Sequence, residues 1–141
     1  YDGDRVMAVF TGDYKNTSAV KAATKIHHAV KTIINPELKA VYPSTDLTVK
    51  HVVGVDTSQL RAARIGVRGY NDLVWIGRAA NYAAKLTSLS GKPLWITKAV
   101  YDVIADEVKI HNETKVDMWT KRLWTSMNNM EIYCSDTSYV V

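Results

Sequence analysis

The sequence predicts an α+β fold, a mostly antiparallel sheet with helices packed on it, and three observations carry that reading. Short apolar runs and amphipathic stretches intermix without the regular strand-helix alternation of a wound parallel sheet. Hydrophobic residues make up 47% and charged residues 23%, the proportions of an ordinary globular domain. Residues 72–86 pass from an apolar strand through a single glycine into an alanine-rich helix. At 141 residues the chain is one domain's worth, long enough for a sizeable core.

Taken in order, residues 5–10 (Arg-Val-Met-Ala-Val-Phe) form a continuous apolar run, which predicts a strand buried on both faces. Gly12-Asp13 breaks it, and Asn16-Thr17-Ser18 offers cap chemistry for a long helix. Ala19, Ala22, Ala23, Ile26, Ala29, Val30, Ile33 and Ile34 recur at three and four, an apolar stripe that Pro36 is expected to close. Residues 47–55 read as the next strand, with His51 inside it as a satisfied core or interface histidine. Asp56-Thr57-Ser58 reads as a turn. Residues 63–67 and 72–76 read as strands joined around Arg68-Gly69-Tyr70-Asn71, a hairpin with a longer loop.

A helix is then expected over 78–89. Ser90-Gly91-Lys92-Pro93 turns the chain into a short buried strand at 94–96. Thr97 can cap a further helix carrying Val100, Val103 and Ile104, and the tail with Trp119, Trp124 and the run 130–134 predicts two or more strands.

Composition narrows the function. The single cysteine, Cys134, excludes an intrachain disulfide and fits a reducing compartment. A net charge of +4 suits a small anionic ligand such as a nucleotide, while the interspersed acidic residues argue against nucleic acid as a partner. His27 and His28 are adjacent, His51 and His111 stand alone, and none has zinc-ligand spacing with Cys134. No apolar run reaches the roughly 18 residues that span a bilayer, so a membrane is not an expected partner. Tyr1-Asp2-Gly3-Asp4 already looks like the inside of a hairpin, so the chain is expected to begin mid-domain.

Asn81 and Lys85 are four apart on the alanine-rich helix and so share one face. An amide and a cation projecting together just past a strand turn can grip a phosphorylated ligand; the plainer reading is a solvated face. No Walker loop and no G-x-G-x-x-G is present.

These pieces resemble the catalytic domain of class III nucleotidyl cyclases, with its ferredoxin-like core, over nearly the whole chain. Gly3-Asp4-Arg5-Val6-Met7-Ala8-Val9-Phe10 looks like the family's Gly-Asp-x-x-x-Ala-x-Phe hairpin strand, and Gly54-Val55-Asp56-Thr57-Ser58 stands where it has Gly-Ile-His-Thr-Gly. Residues 72–86 match its strand-glycine-helix ending in Asn-x-Ala-Ala-Arg, and Thr97-Lys98-Ala99-Val100-Tyr101 its Ser-x-x-Val-Tyr helix start. The resemblance implies that residues 1–141 are a single catalytic domain. It implies that Asp4 binds two Mg²⁺ or Mn²⁺ ions with a partner carboxylate that would precede Tyr1. The plainer reading of Asp4 is a turn residue after Gly3, but the surrounding motif favours metal binding. Asn81 would orient the ribose, and Lys85 stands where the family has an arginine on the transferring phosphate.

Val74 departs from the polar residue that reads a purine base, because its side chain neither donates nor accepts a hydrogen bond. With that departure, residues 71–86 look like the pyrimidine cyclases of bacterial Pycsar anti-phage systems, which make cyclic UMP or cyclic CMP from UTP or CTP. The resemblance then implies a cytoplasmic bacterial enzyme, a head-to-tail homodimer with composite sites, and a cyclic-nucleotide-sensing effector downstream. Arg68 could reach the base or phosphates from its loop; Lys121 and Arg122 are candidate triphosphate contacts, with a solvated charged turn the plainer reading. The alternatives are a degenerate cyclase-like domain that binds a nucleotide or a partner, and a purine cyclase with altered base contacts.

Overall fold

The computed structural model describes residues 4–67 and 70–138. In chain order the helices are α1 (Lys15–Ala29), α2 (Asn35–Val41), α3 (Arg78–Leu86) and α4 (Lys98–Tyr101). The strands are β1 (Val53–Val55), β2 (Arg61–Val67), β3 (Tyr70–Ile76), β4 (Leu94–Thr97), β5 (Thr120–Trp124) and β6 (Met130–Ser135). Four of them form a sheet in the order β1-β4-β6-β5, and β2 and β3 form a separate hairpin. β1 is parallel to β4, while β4–β6, β5–β6 and β2–β3 are antiparallel. The α+β class and the mostly antiparallel pairing are as the sequence predicts, and the arrangement is consistent with a cyclase-like fold.

β4 explains the layering. All four of its residues are buried, because it has strands on both edges and helical cover on both faces. Alternation sends Leu94 and Ile96 to one side, where they pack with Val20 and Ala23 of α1, Val100 of α4, and Ile104, Val108 and Trp119. Trp95 turns to the other side and joins Leu86 of α3, Trp124, Ile132 and Cys134. Thus α3, with Asn81 and Lys85, lies across one face of the sheet and α1 across the other.

Several expected elements change. Residues 6–10 lie outside any strand, and Val6 and Met7 are 75% and 56% exposed. A run apolar on both faces buries itself only between neighbouring strands, and the described sheet ends at β1 and β5 without one beside it. Asn16-Thr17-Ser18 sits inside α1 and does not cap it; Tyr14 takes the cap position in a left-handed conformation (φ 58°). Thr17 is buried, and its hydroxyl accepts a hydrogen bond from the Ala105 amide.

Pro36 does not end the helical course. The chain passes through a π-helical stretch, Val30–Ile34, into α2, and Pro36 falls in the first turn of α2, where a missing N–H costs least. The strand expected over 47–55 shrinks to Val53–Val55, because the Asn35 side-chain amide takes both backbone groups of Val49 at 2.7 and 3.1 Å in place of a ladder. His51 therefore lies outside a strand, yet it is satisfied: its Nε2 is 3.2 Å from Nδ1 of buried His27. The hairpin pairing closes at Val67 opposite Tyr70, so its connection is shorter than expected. The helix expected to reach residue 89 ends at Leu86. Among the described residues no helix is long and apolar enough to cross a membrane.

Candidate active site

Two close approaches place α3. At Gly77, between β3 and α3, a Cβ would stand 2.7 Å from Leu60 Cδ2 and 2.8 Å from the Gln59 carbonyl, so only glycine fits the turn. At Gly54 in β1 a Cβ would stand 2.3 Å from the Ala83 carbonyl, so the helix backbone rests directly on the strand.

The first turn of α3 is held by the segment that follows β1. The Ala79 amide, one of the helix's unpaired N-terminal donors, gives its hydrogen to Ser58 Oγ at 2.9 Å. Arg78 donates from Nη2 to the Thr57 carbonyl at 2.9 Å and places Nε 3.6 Å from Asp56 Oδ2. The Asp56 side chain is fully buried, and its Oδ1 accepts the Thr97 hydroxyl at 2.5 Å. Thr97 stands at the start of α4 as expected, but its hydroxyl serves Asp56 instead of capping α4. The Arg78 guanidinium also lies over the Tyr82 ring, 5.4 Å from its centroid, and Tyr82 meets Trp124 edge-on at 6.0 Å.

Asn81 and Lys85 project from the exposed face of this helix, together, as the spacing predicts. Lys85 Nζ is 3.8 Å from Met127 Sδ and borders a shallow cavity of about 390 Å³ walled by Leu89, Trp124 and Met127. Val74 lies on β3 opposite Ala63 and is 38% exposed, an apolar surface rather than a hydrogen-bonding one. Arg68 lies outside the described residues. Lys121, on β5, is bonded to Glu131, which raises its pKa and engages its ammonium; Arg122 is exposed on the same strand. Cys134 is buried, and burial pushes its thiol pKa up, the setting of a structural cysteine.

Asp4 is an exposed turn residue, and among the described residues no hydrogen bond or ion pair joins it to α3. No three His, Cys, Asp or Glu side chains among the described residues come together as a ligand set for a cation. One exposed carboxylate does not by itself fit a two-cation centre, which takes several oxygen donors.

The arrangement therefore offers an anion a cation at Lys85 and an amide at Asn81, on a helix braced at both ends. What sequence reading missed is the brace: Asp56 reads as a turn former, Arg78 as the first residue of a helix, and Thr97 as a cap. The one available signal was the match of residues 54–58 to the family's strand end, which marks the place without revealing that its acid is buried.

No family model matches the chain. A uridylate cyclase of Burkholderia cepacia is 61% identical over 127 residues, covering 90% of this chain and 54% of that protein. A uridylate cyclase of Xanthomonas perforans is 54% identical over 136 residues, 96% of this chain and 58% of that protein. A third, from Rhodovulum sp. (strain MB263), is 39% identical over 141 residues, 96% of this chain and 59% of that protein. The chain thus spans somewhat more than half the length of the curated relatives it matches. These similarities bear out the resemblance to pyrimidine cyclases carried by residues 71–86.

Proposed function

Because the chain is related along most of its length to the uridylate cyclases, we propose that it is catalytic sequence of a pyrimidine nucleotide cyclase that converts UTP to 3′,5′-cyclic UMP and pyrophosphate. The observation that carries this reading is the identity of 61% over nine-tenths of the chain, and it is supported by the shared exposed face of Asn81 and Lys85. In the reaction the ribose 3′-oxygen attacks the α-phosphorus, the bond to the bridging β-phosphate oxygen breaks, and pyrophosphate leaves; the 3′-hydroxyl proton passes to solvent.

Each residue takes a role that its chemistry allows. Lys85 meets the negative charge that builds on the transferring phosphate, and a cation fixed there lowers the barrier by several kcal/mol, on the order of what one such contact supplies. Lysine does this as a point charge, without the arginine fork. Asn81 orients the ribose by hydrogen bonding. Val74 offers the base an apolar wall, which suits a site that does not read a purine edge. From the resemblance, Asp4 would be one carboxylate donor to a divalent cation, Mg²⁺ or Mn²⁺, and would not hold it alone.

The same resemblance supports a head-to-tail homodimer with composite sites, a cytoplasmic setting in a bacterium, and a role in anti-phage defence through an effector that senses the cyclic nucleotide. Lys121, engaged by Glu131, is not assigned to the triphosphate.

The deciding measurement is product formation by the complete protein with Mn²⁺ and each of the four ribonucleoside triphosphates, resolved by chromatography. Cyclic UMP, lost on Asp4→Ala and on Lys85→Ala, is the expected result. Cyclic CMP as the main product keeps the pyrimidine reading and corrects the base; cyclic AMP or cyclic GMP overturns the reading of Val74. No cyclic product from a folded protein overturns the enzyme reading in favour of a nucleotide-binding domain.

A further inference from the structure

The Asp56 carboxylate has no exposed side-chain surface, and among the described residues its Oδ2 makes no hydrogen bond; the Arg78 guanidinium, 3.6 Å away, is its counter-charge. A buried carboxylate so held is expensive to place, and removing its partner is more so. Burial of this kind beside the helix that carries Asn81 and Lys85 calls for a reason.

We propose that Asp56 and Arg78 are positioning residues: the buried carboxylate, acting through Arg78, fixes the rotation of α3 and thereby the pose of Asn81 and Lys85. This rests on the reading of those two residues as the nucleotide-facing pair. A helix packed on a sheet through its last turns alone keeps freedom to roll at its first. α3 touches β1 at Gly54, under Ala83 and Leu86 in its last turns. Anchors at the opposite end remove that freedom: the Ala79 amide bonds Ser58 Oγ, and Arg78, held against its own helix by the Tyr82 ring, reaches the Asp56 carboxylate and the Thr57 carbonyl. Thr97 completes the anchor from the end of β4, so the central strand sets where Asp56 points. Only a planar, multi-donor cation serves three partners in this way.

The test uses the complete protein with Asp56→Asn, Arg78→Lys and Arg78→Met, read in two ways. Hydrogen exchange of the α3 amides reports the anchor without any activity. Steady-state kinetics with UTP report its consequence. The expected result is faster exchange over α3 in Asp56→Asn and Arg78→Met. With it should come a fall in kcat of roughly 10- to 100-fold at nearly unchanged KM, the effect of misaligned groups rather than lost binding. Arg78→Lys should recover part of kcat relative to Arg78→Met. Should Asp56→Asn fail to fold, the two Arg78 variants decide, since that side chain is about half exposed.

Unchanged exchange over α3 overturns the anchor. Faster exchange with unchanged kcat, or kcat and KM lost together without recovery by lysine, overturns the positioning role. A wild-type protein that makes no cyclic product overturns the proposed activity instead, and exchange alone then upholds or overturns the anchor.

Discussion

Gly54 and Ala83 stand so close that a single added carbon on the strand residue would lie 2.3 Å from the helix carbonyl and 2.7 Å from Leu86 Cβ. Neither obstacle is the far end of a flexible side chain, so Gly54→Ala must lift α3 off the sheet. We expect a loss of about 1–3 kcal/mol in denaturant unfolding, the usual cost of overpacking. Cyclase activity should fall further than that stability loss explains, because the displaced helix carries Asn81 and Lys85.

Lys85 in this structure rests against Met127 Sδ at 3.8 Å and has no carboxylate partner among the described residues. Its ammonium is therefore free to turn to a phosphate. Lys85→Ala should lower kcat by about 10²- to 10³-fold with a much smaller change in KM, as expected when charge stabilisation is confined to the transition state. Thermal unfolding of the variant should match that of the parent, since the side chain is exposed.

The His27–His51 pair makes stability depend on pH. Burial is the main cause that lowers both pKa values below 6.5; the charge of His27 lowers His51 further, and for His27 the charges of Lys31 and His28 lower it while Asp136 raises it in part. A histidine with a depressed folded pKa binds protons more readily when unfolded, so stability rises with pH through that window. Its contribution should be complete above about pH 6.5 and decline as pH falls below it toward the lowered folded values. Urea unfolding across that range should show the decline, and His51→Gln, which keeps a hydrogen-bonding side chain but does not titrate, should weaken it.

Tyr101 donates its hydroxyl to Asp117, which is the first cause of a pKa pushed up to about 12. Absorbance titration of the folded protein should find one tyrosine ionising late, and Asp117→Asn should bring it down. Because the folded pKa lies above the ordinary value, the associated stability is present below pH 10 and is lost as pH rises toward 12. Tyr101→Phe should cost on the order of 1 kcal/mol, a partly exposed hydrogen bond's worth.

Local rules made part of this molecule legible. β4 is apolar at 94–96 and buried throughout, and β5 and β6 appear where the tail predicts strands. Residues 6–10 and 47–52 misled, because an apolar run states that a strand could be buried but not that a neighbour exists to pair with it. Pro36 misled differently: its position within a helical course, not its presence, decides whether it breaks one.

The sequence by itself determined the strand-glycine-helix of β3 and α3 and the common face of Asn81 and Lys85, because helical periodicity depends only on residues a few positions apart. It also carried the kinship to pyrimidine cyclases, through motifs in register. Only the tertiary structure decided that Asp56 is buried, that Thr97 serves it from 41 residues away, and that Arg78 reaches back 21 residues to Thr57. Those partners meet because β1 and β4 lie side by side and α3 presses on Gly54. Which distant groups share a buried space follows from how the layers pack, and no local pattern in the chain encodes it.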